Sequence, residues 1–255
     1  MTHAGALLSL NAKPKPPNIH LYMQSEMRRR IFLVDDHPVV LSGLTSLLNS
    51  HADLEVVGTA QSASDALSRI AATRAELAVI DIGIGNVAGL DLVQDFRLRF
   101  PRLRVLCFSV HEEEFFAERA LRVGAQGFVM KTVDSTTVLR AIRSVLAGQI
   151  YLSETMERRI LNRLGGGTAV GRSPIRQLSN REIQVIHHIA ASRDNRQIAQ
   201  LMSLSVKTVE AHRSRIKEKL SLRTTSELIR FASHWVERQS SFAEQPPEGD
   251  LPGRA

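Results

Sequence analysis

The sequence predicts two units: a doubly wound, five-stranded parallel α/β sheet, followed by a small all-α domain of four helices. Three observations predict this. Short apolar runs begin near Arg30, Leu54, Leu77, Arg104 and Gly127, at intervals of 24, 23, 27 and 23 residues, and each is followed by a helical pattern. Beyond residue 178 no further run of this kind occurs, and helix-start signals take over. The charge divides at the same place. Residues 28–150 hold 14 Lys+Arg and 14 Asp+Glu, whereas residues 151–239 hold 16 and 8.

Taken in order, residues 1–27 contain Pro, Asn and Lys without a sustained period and are expected to be a disordered extension, with Met23 and Met27 as alternative starts. The first strand is expected at Ile31-Phe32-Leu33-Val34. Val39, Leu41, Leu44, Leu47 and Leu48 then lie at helical spacing. The next apolar runs are Leu54-Glu55-Val56-Val57 and Leu77-Ala78-Val79-Ile80, and Leu90, Val93 and Phe96 form a helical stripe after the second. Val105-Leu106-Cys107-Phe108 and Phe128-Val129-Met130 complete the set. Runs without a polar alternate suit strands covered on both faces. Right-handed crossovers then give a five-stranded doubly wound sheet, for which the flavodoxin-like order 2-1-3-4-5 is expected. Residues 28–150 form this unit, and 151–175, with Gly165-Gly166-Gly167, read as a linker. Residues 176–239 form the helical domain, in which Ser179…Glu182 and Thr224…Glu227 are capping boxes and Asn195 and Ser205 precede the helices between them. Residues 240–255, with Gln245-Pro246-Pro247, are expected to be a disordered tail.

Composition narrows the function. With 255 residues, 43% of them hydrophobic, the chain has ample material for a core. One cysteine, Cys107, excludes an internal disulfide and a cysteine-based zinc cluster. No apolar run approaches the roughly 20 residues of a membrane helix, so a cytoplasmic protein without a membrane partner is expected. The basic half is the candidate for a polyanion partner.

In an open parallel sheet, functional groups collect beyond the carboxyl ends of the strands. Here the first strand ends in Asp35-Asp36, the third in Asp81, the fourth is followed by Ser109 and the fifth by Lys131. Carboxylates gathered at one sheet end repel one another unless protonated or neutralised by a cation. Oxygen ligands with retained water suit Mg²⁺. A carboxylate beside that ion can attack a phosphoryl group and become an acyl phosphate, with a hydroxyl and an ammonium stabilising the oxygens in transit. A single strand-end Asp is more often a surface charge or a cap, but such groups at successive strand ends of one repeat are not. A phosphotransfer enzyme using the same carboxylates leaves the basic half unexplained.

Residues 28–150 resemble the receiver domain of a two-component response regulator. The matching stretches are Val34-Asp35-Asp36-His37-Pro38, Val79-Ile80-Asp81 with Gly89-Leu90, Phe108-Ser109, and Gly124-Ala125-Gln126-Gly127-Phe128-Val129-Met130-Lys131. The resemblance implies that Asp81 accepts the phosphoryl group. It implies Mg²⁺ on Asp36 and Asp81, with Asp35 acting through water and Gly83 offering its backbone carbonyl. Ser109 and Phe128 become the switch pair, and Lys131 the ion-pair partner of the phosphorylated Asp81. The family commonly has a polar residue where Gly83 stands and proline where Gly85 stands, so a looser loop and an altered acyl-phosphate lifetime are expected.

In the basic half, Val209, Ile216 and Leu220 fall on one stripe of a helix beginning at Val206, while Lys207, Glu210, Ala211, Ser214, Arg215 and Glu218 fall opposite. Two helices joined by a short turn in a basic unit suggest a helix-turn-helix, with Arg213, Arg215, Lys217 and Lys219 available for phosphates. Leu178-Ser179-Asn180-Arg181-Glu182, Asn195-Arg196-Gln197-Ile198-Ala199 and Ser205-Val206-Lys207-Thr208-Val209-Glu210-Ala211-His212-Arg213 resemble the LuxR-type helix-turn-helix. The two resemblances together are those of the NarL/FixJ class. They imply a transcription regulator rather than an enzyme, with at most hydrolysis of its own acyl phosphate. Its implied partners are a sensor histidine kinase, double-stranded promoter DNA, a second copy when phosphorylated, and RNA polymerase. Positions 210, 211 and 214 would face the bases; Glu can accept from cytosine N4 and Ala can touch a thymine methyl. The fourth helix commonly dimerises in such modules, and its Leu228, Phe231 and Trp235 read equally as core.

Overall fold

The computed structural model of the chain describes residues 28–111, 113–164 and 174–241. The expected extension at 1–27, the glycine run from 165 and the chain beyond 241 lie outside the described residues.

Five strands form the sheet: β1 (Arg29–Val34), β2 (Leu54–Ala60), β3 (Leu77–Ile80), β4 (Arg104–Ser109) and β5 (Gly127–Met130). All pairings are parallel, as the repeat predicts, and the order is β2-β1-β3-β4-β5, the flavodoxin-like one. Between them run α1 (Pro38–Asn49), α2 (Ala63–Thr73), the one-turn α3 (Ile84–Val87), α4 (Gly89–Arg99) and α5 (Glu113–Val123), and α6 (Ser135–Leu146) follows β5. Side chains alternate across each strand, so every apolar run feeds two cores. Ile31, Leu33, Val79, Leu106 and Phe108 pack against Leu41, Leu44 and Leu48 of α1 and Ile142 and Val145 of α6. Phe32, Val34, Ile80, Cys107 and Phe128 pack against Ile70, Val93, Phe96 and Phe116 from α2, α4 and α5. Pro38 opens α1, where a missing N–H costs nothing. The side chains of Ser62 and Asp134 cap α2 and α6 by accepting from Asp65 N–H and Thr137 N–H.

The segment expected as linker contains a helix, α7 (Glu154–Leu164). Ser153 Oγ accepts from Met156 N–H at 3.2 Å, and Met156 and Ile160, one turn apart, pack into the core cluster beside α5. Its short apolar stripe, set among five charged residues, reads as a solvated segment until the receiving face is known.

After a 3-10 turn (Pro174–Gln177) come α8 (Asn180–Ala190), α9 (Asn195–Leu201), α10 (Val206–Lys219) and α11 (Thr225–Ser241). Ser179 and Glu182 form the expected capping box. Asp194, not Asn195, caps α9: its carboxylate accepts from Arg196 N–H and Gln197 N–H, which moves the start back by one residue. Ser205 caps α10 through Thr208 N–H. α11 runs through Ser241, into the region expected as tail. The core of this domain is not separate. The cluster holding Phe115 and Phe116 continues through Leu178, Ile183 and Ile186 to Leu228 and Trp235.

Candidate functional site

The strand ends bring Asp35, Asp36, Asp81, Ser109 and Lys131 to one edge of the sheet, because β1, β3, β4 and β5 are successive neighbours. Asp35 and Asp81 are buried, at 2% and 3% exposure, and Asp36 is exposed. Lys131 Nζ lies 2.6 Å from Asp35 Oδ2 and 3.0 Å from Asp81 Oδ2, so one ammonium serves two buried carboxylates. Burial pushes the Asp81 carboxyl above its ordinary value; Lys131 opposes the shift, and the Asp35 charge adds to it. Gly83 N–H donates to Asp81 Oδ1 at 2.9 Å and holds the carboxylate in place.

The donor set fits a hard divalent cation. One ligand atom from each of Asp35, Asp36, His37 and Asp81 can be chosen so that all lie within 4.8 Å of one another. Three of these donors are carboxylates and one lies on the open side, which suits an ion that keeps water. His37 is the member that the sequence did not single out as a ligand. Its Nδ1 lies 3.2 Å from Asp35 Oδ1 and 2.8 Å from Asp36 Oδ1, and its backbone N–H also bonds Asp35 Oδ1. Its place beside two aspartates was the available signal.

Two glycines shape the pocket. A side chain at Gly89 would bring a Cβ within 2.4 Å of Asp81 O and 2.6 Å of Ile82 Cα, so only glycine lets α4 begin this close to the site. A Cβ at Gly83 would sit 3.3 Å from both Asp81 Oδ2 and His111 Nε2. The imidazole of His111 therefore flanks the carboxylate across the space left by Gly83. His111 N–H donates to Ser109 Oγ at 3.0 Å. Ser109 and Phe128 are both fully buried. The Phe128 ring is held in the cluster with Phe116 and Cys107.

The same loop leads into the contact between the two halves. His111 stacks edge-on against His187 of α8, centroids 5.6 Å apart, and His187 meets Trp235 of α11 at 5.3 Å. Phe115 packs on Trp235 at 5.4 Å, and the Arg119 guanidinium lies over the Phe115 ring. Arg119 is buried and donates to Leu178 O at 2.7 Å and Ile175 O at 3.2 Å. Asp91 accepts from Gln184 Nε2 at 2.8 Å and pairs with Arg181 at 3.3 Å. Burial depresses both imidazoles, His111 to about 4 and His187 to about 3, so each is neutral at pH 7. Neither half announced this contact in sequence, since its residues look like ordinary core or surface until the domains are brought together.

On α10, Val209 and Ile216 are fully buried, and Lys207, Glu210, Ala211, Ser214 and Arg215 are exposed together. Glu210, Ala211 and Ser214, the positions that the LuxR-type resemblance would turn toward the bases, thus share one open surface with Lys207 and Arg215. Arg213 is half-buried and donates to Asn195 Oδ1 at 3.0 Å, which ties α10 to α9; Lys217 is half-buried beside it. Lys219, read as a phosphate partner, instead binds Glu182 Oε2 at 2.7 Å. Burial raises the Glu182 carboxyl, but the Lys219 ammonium and the Ser179 N–H outweigh it and hold it below the ordinary value. Leu228 and Trp235 face inward as core, and Phe231 is half-buried, so the α11 surface that they would have offered a second copy is occupied.

Comparison with known proteins gives two family matches: the response regulator receiver domain over residues 31–143, and the bacterial regulatory proteins of the luxR family over residues 176–232. The chain is 30% identical over 208 residues to the oxygen regulatory protein NreC of Staphylococcus carnosus, covering 80% of this chain and 96% of that protein. It is 31% identical over 210 residues to the transcriptional regulatory protein MctR of Rhizobium johnstonii, covering 82% and 95%. Among solved structures, RcsB from Salmonella enterica serovar Typhimurium, bound to promoter rprA in the presence of phosphomimetic BeF3-, shares the fold with a TM-score of 0.62 at 20% identity, covering 81% of this chain and 98% of that one.

Proposed function

The chain belongs to the two-component response regulators of the NarL/FixJ class, with a receiver and a LuxR-type DNA-binding domain, and on that premise we propose that Asp81 is the residue whose phosphorylation controls it. The observation that carries this reading is the buried Asp81–Lys131–Asp35 arrangement opening onto Asp36 at the end of the sheet. A sensor histidine kinase is the donor in this reading. The Asp81 carboxylate oxygen attacks phosphorus as the bond from phosphorus to the donor imidazole nitrogen breaks, and the imidazole takes up a proton. Asp36, Asp81, the Gly83 carbonyl and, through water, Asp35 would hold Mg²⁺, which supplies charge neutralisation for the incoming phosphoryl oxygens. Lys131 then pairs with a phosphoryl oxygen, and Ser109 turns its hydroxyl from His111 N–H toward another. Hydrolysis of the acyl phosphate by the receiver itself resets the state, and the open Gly83/His111 flank governs the access of water to it.

The signal leaves through the loop after β4. Turning Ser109 Oγ removes the acceptor of His111 N–H, and His111 is the receiver side of the His187–Trp235 contact. Phosphorylation loosens that contact, frees α11 for a second copy, and favours dimeric binding to promoter DNA through Lys207, Glu210, Ala211, Ser214 and Arg215, with Arg213 and Lys217 at the backbone. Recruitment of RNA polymerase and a cytoplasmic setting complete the reading. The test is covalent labelling. The full-length protein, incubated with acetyl phosphate and Mg²⁺, should gain one phosphoryl group, read as a mass increase. Asp81→Asn or EDTA should abolish it. A label retained by Asp81→Asn would contradict the assignment.

A further inference from the structure

The receiver is neutral overall. Asp35, Asp36 and Asp81 stand at the carboxyl end of the sheet, whereas the amino end mixes arginines with carboxylates: Arg29 pairs with Glu76, Arg30 with Glu55 and Arg143 with Asp53. Between the ends of α2 and α4 and the starts of β3 and β4 lies a cleft of about 490 Å³. Its floor is apolar, formed by buried Ile70 and Leu103 with half-buried Ala75 and Phe100. Arg74 and Arg102 carry the charge on its rim, whereas the Arg104 guanidinium lies beside Gly148.

We propose that this cleft is a ligand site for a small organic carboxylate with an apolar body. The volume lies within the range of about 300–1,000 Å³ usual for small-molecule pockets, and an apolar floor with a few convergent polar groups is their usual construction. The charge on the rim is uncommitted. Among the described residues, the guanidinium groups of Arg74 and Arg102 have no hydrogen-bond or ion-pair partner, and Glu76, the carboxylate on the same rim, is already held by Arg29 at 2.8 Å. The bland account is that these arginines neutralise the carbonyl ends of the two helices. That work is already done by others. Arg30 donates twice to Thr73 O at the end of α2, and Arg97 and Arg99 stand in the last turn of α4. Arg74 also occupies the left-handed region, φ 51°, a place that favours glycine. An arginine there brings a guanidinium to the cleft at a backbone position that does not otherwise call for one. Guanidinium forks match a carboxylate through two parallel hydrogen bonds, and the floor beneath them has no polar side chain to receive a hydrophilic body.

Benzoate serves as the probe, with benzyl alcohol as its uncharged counterpart and inorganic phosphate as the anion without an apolar body. Titration of the full-length protein, followed by methyl resonances of Ile70 and Leu103, should show saturable binding of benzoate at least tenfold tighter than either control. Arg74→Gly suits the left-handed backbone, so it should keep or raise the thermal midpoint while weakening benzoate at least threefold. Arg74→Gly combined with Arg102→Gln should weaken it at least tenfold. Absence of saturable benzoate binding, equal binding of phosphate or benzyl alcohol, or affinity unchanged in the double variant would each overturn the proposal. The site is remote from Asp81, so failure of this test leaves the phosphorylation reading untouched, and the converse holds.

Discussion

At Asp81 the protein holds a carboxylate where burial and a neighbouring Asp35 both disfavour its charge, and one shared ammonium only partly offsets them. Such an arrangement suits reactivity rather than stability. Asp81→Asn keeps the shape and removes the charge, so without divalent cations it should raise the thermal midpoint at pH 7. The sign follows from the direction of the shift. A carboxyl raised in the folded state binds its proton more readily there, so acid stabilises the wild type at this site, and the advantage of the amide shrinks as pH falls toward the ordinary carboxylate range. Thermal unfolding at pH 7 and pH 5 checks this; a lower midpoint for Asp81→Asn at pH 7 would contradict it. Asp35, Asp36, Asp81, Ser109 and Lys131 were legible because each is tied to a strand end, and strand order alone brings them together. His111 was not, because its role arises from the missing side chain of Gly83, a neighbour only in space.

Among the elements, α5, α8 and α11 share one apolar cluster, and the edge of that cluster is a histidine pair. His187 is kept neutral by burial and by the nearby His111 and His188. A base whose pKa is depressed on folding contributes stability that is complete above its unfolded value near 6.5 and is lost as pH falls toward about 3. At pH 5 the loss from His187 is about 2 kcal/mol. The contact between the halves should therefore loosen between pH 7.5 and pH 5, read as a change in the emission of Trp235, and His187→Phe should flatten that response. An identical pH profile in the variant would contradict it. Helix starts such as Ser179, Ser205 and Thr224 were readable from local chemistry. The helix at Glu154–Leu164 and the domain contact were not, since Met156, Trp235 and Arg119 acquire their partners from distant elements.

Over the whole molecule, charge and topology give a division of labour: a neutral sheet carrying the acidic pocket, and a basic bundle whose α10 presents an open polar face. The halves are joined through the loop that begins at Ser109, so chemistry at the strand ends has a packed route to α11. The route ends at the helix surface that a second copy would need, and in the proposed function this is what couples phosphorylation to assembly on DNA. The most direct measurement is affinity for a duplex selected by the protein from a random pool, followed by anisotropy at fixed salt. Wild type treated with acetyl phosphate and Mg²⁺ should bind at least tenfold tighter than untreated protein, and Asp81→Asn should show no gain. Equal affinity with and without the phosphodonor, or an undiminished gain in Asp81→Asn, would contradict the account.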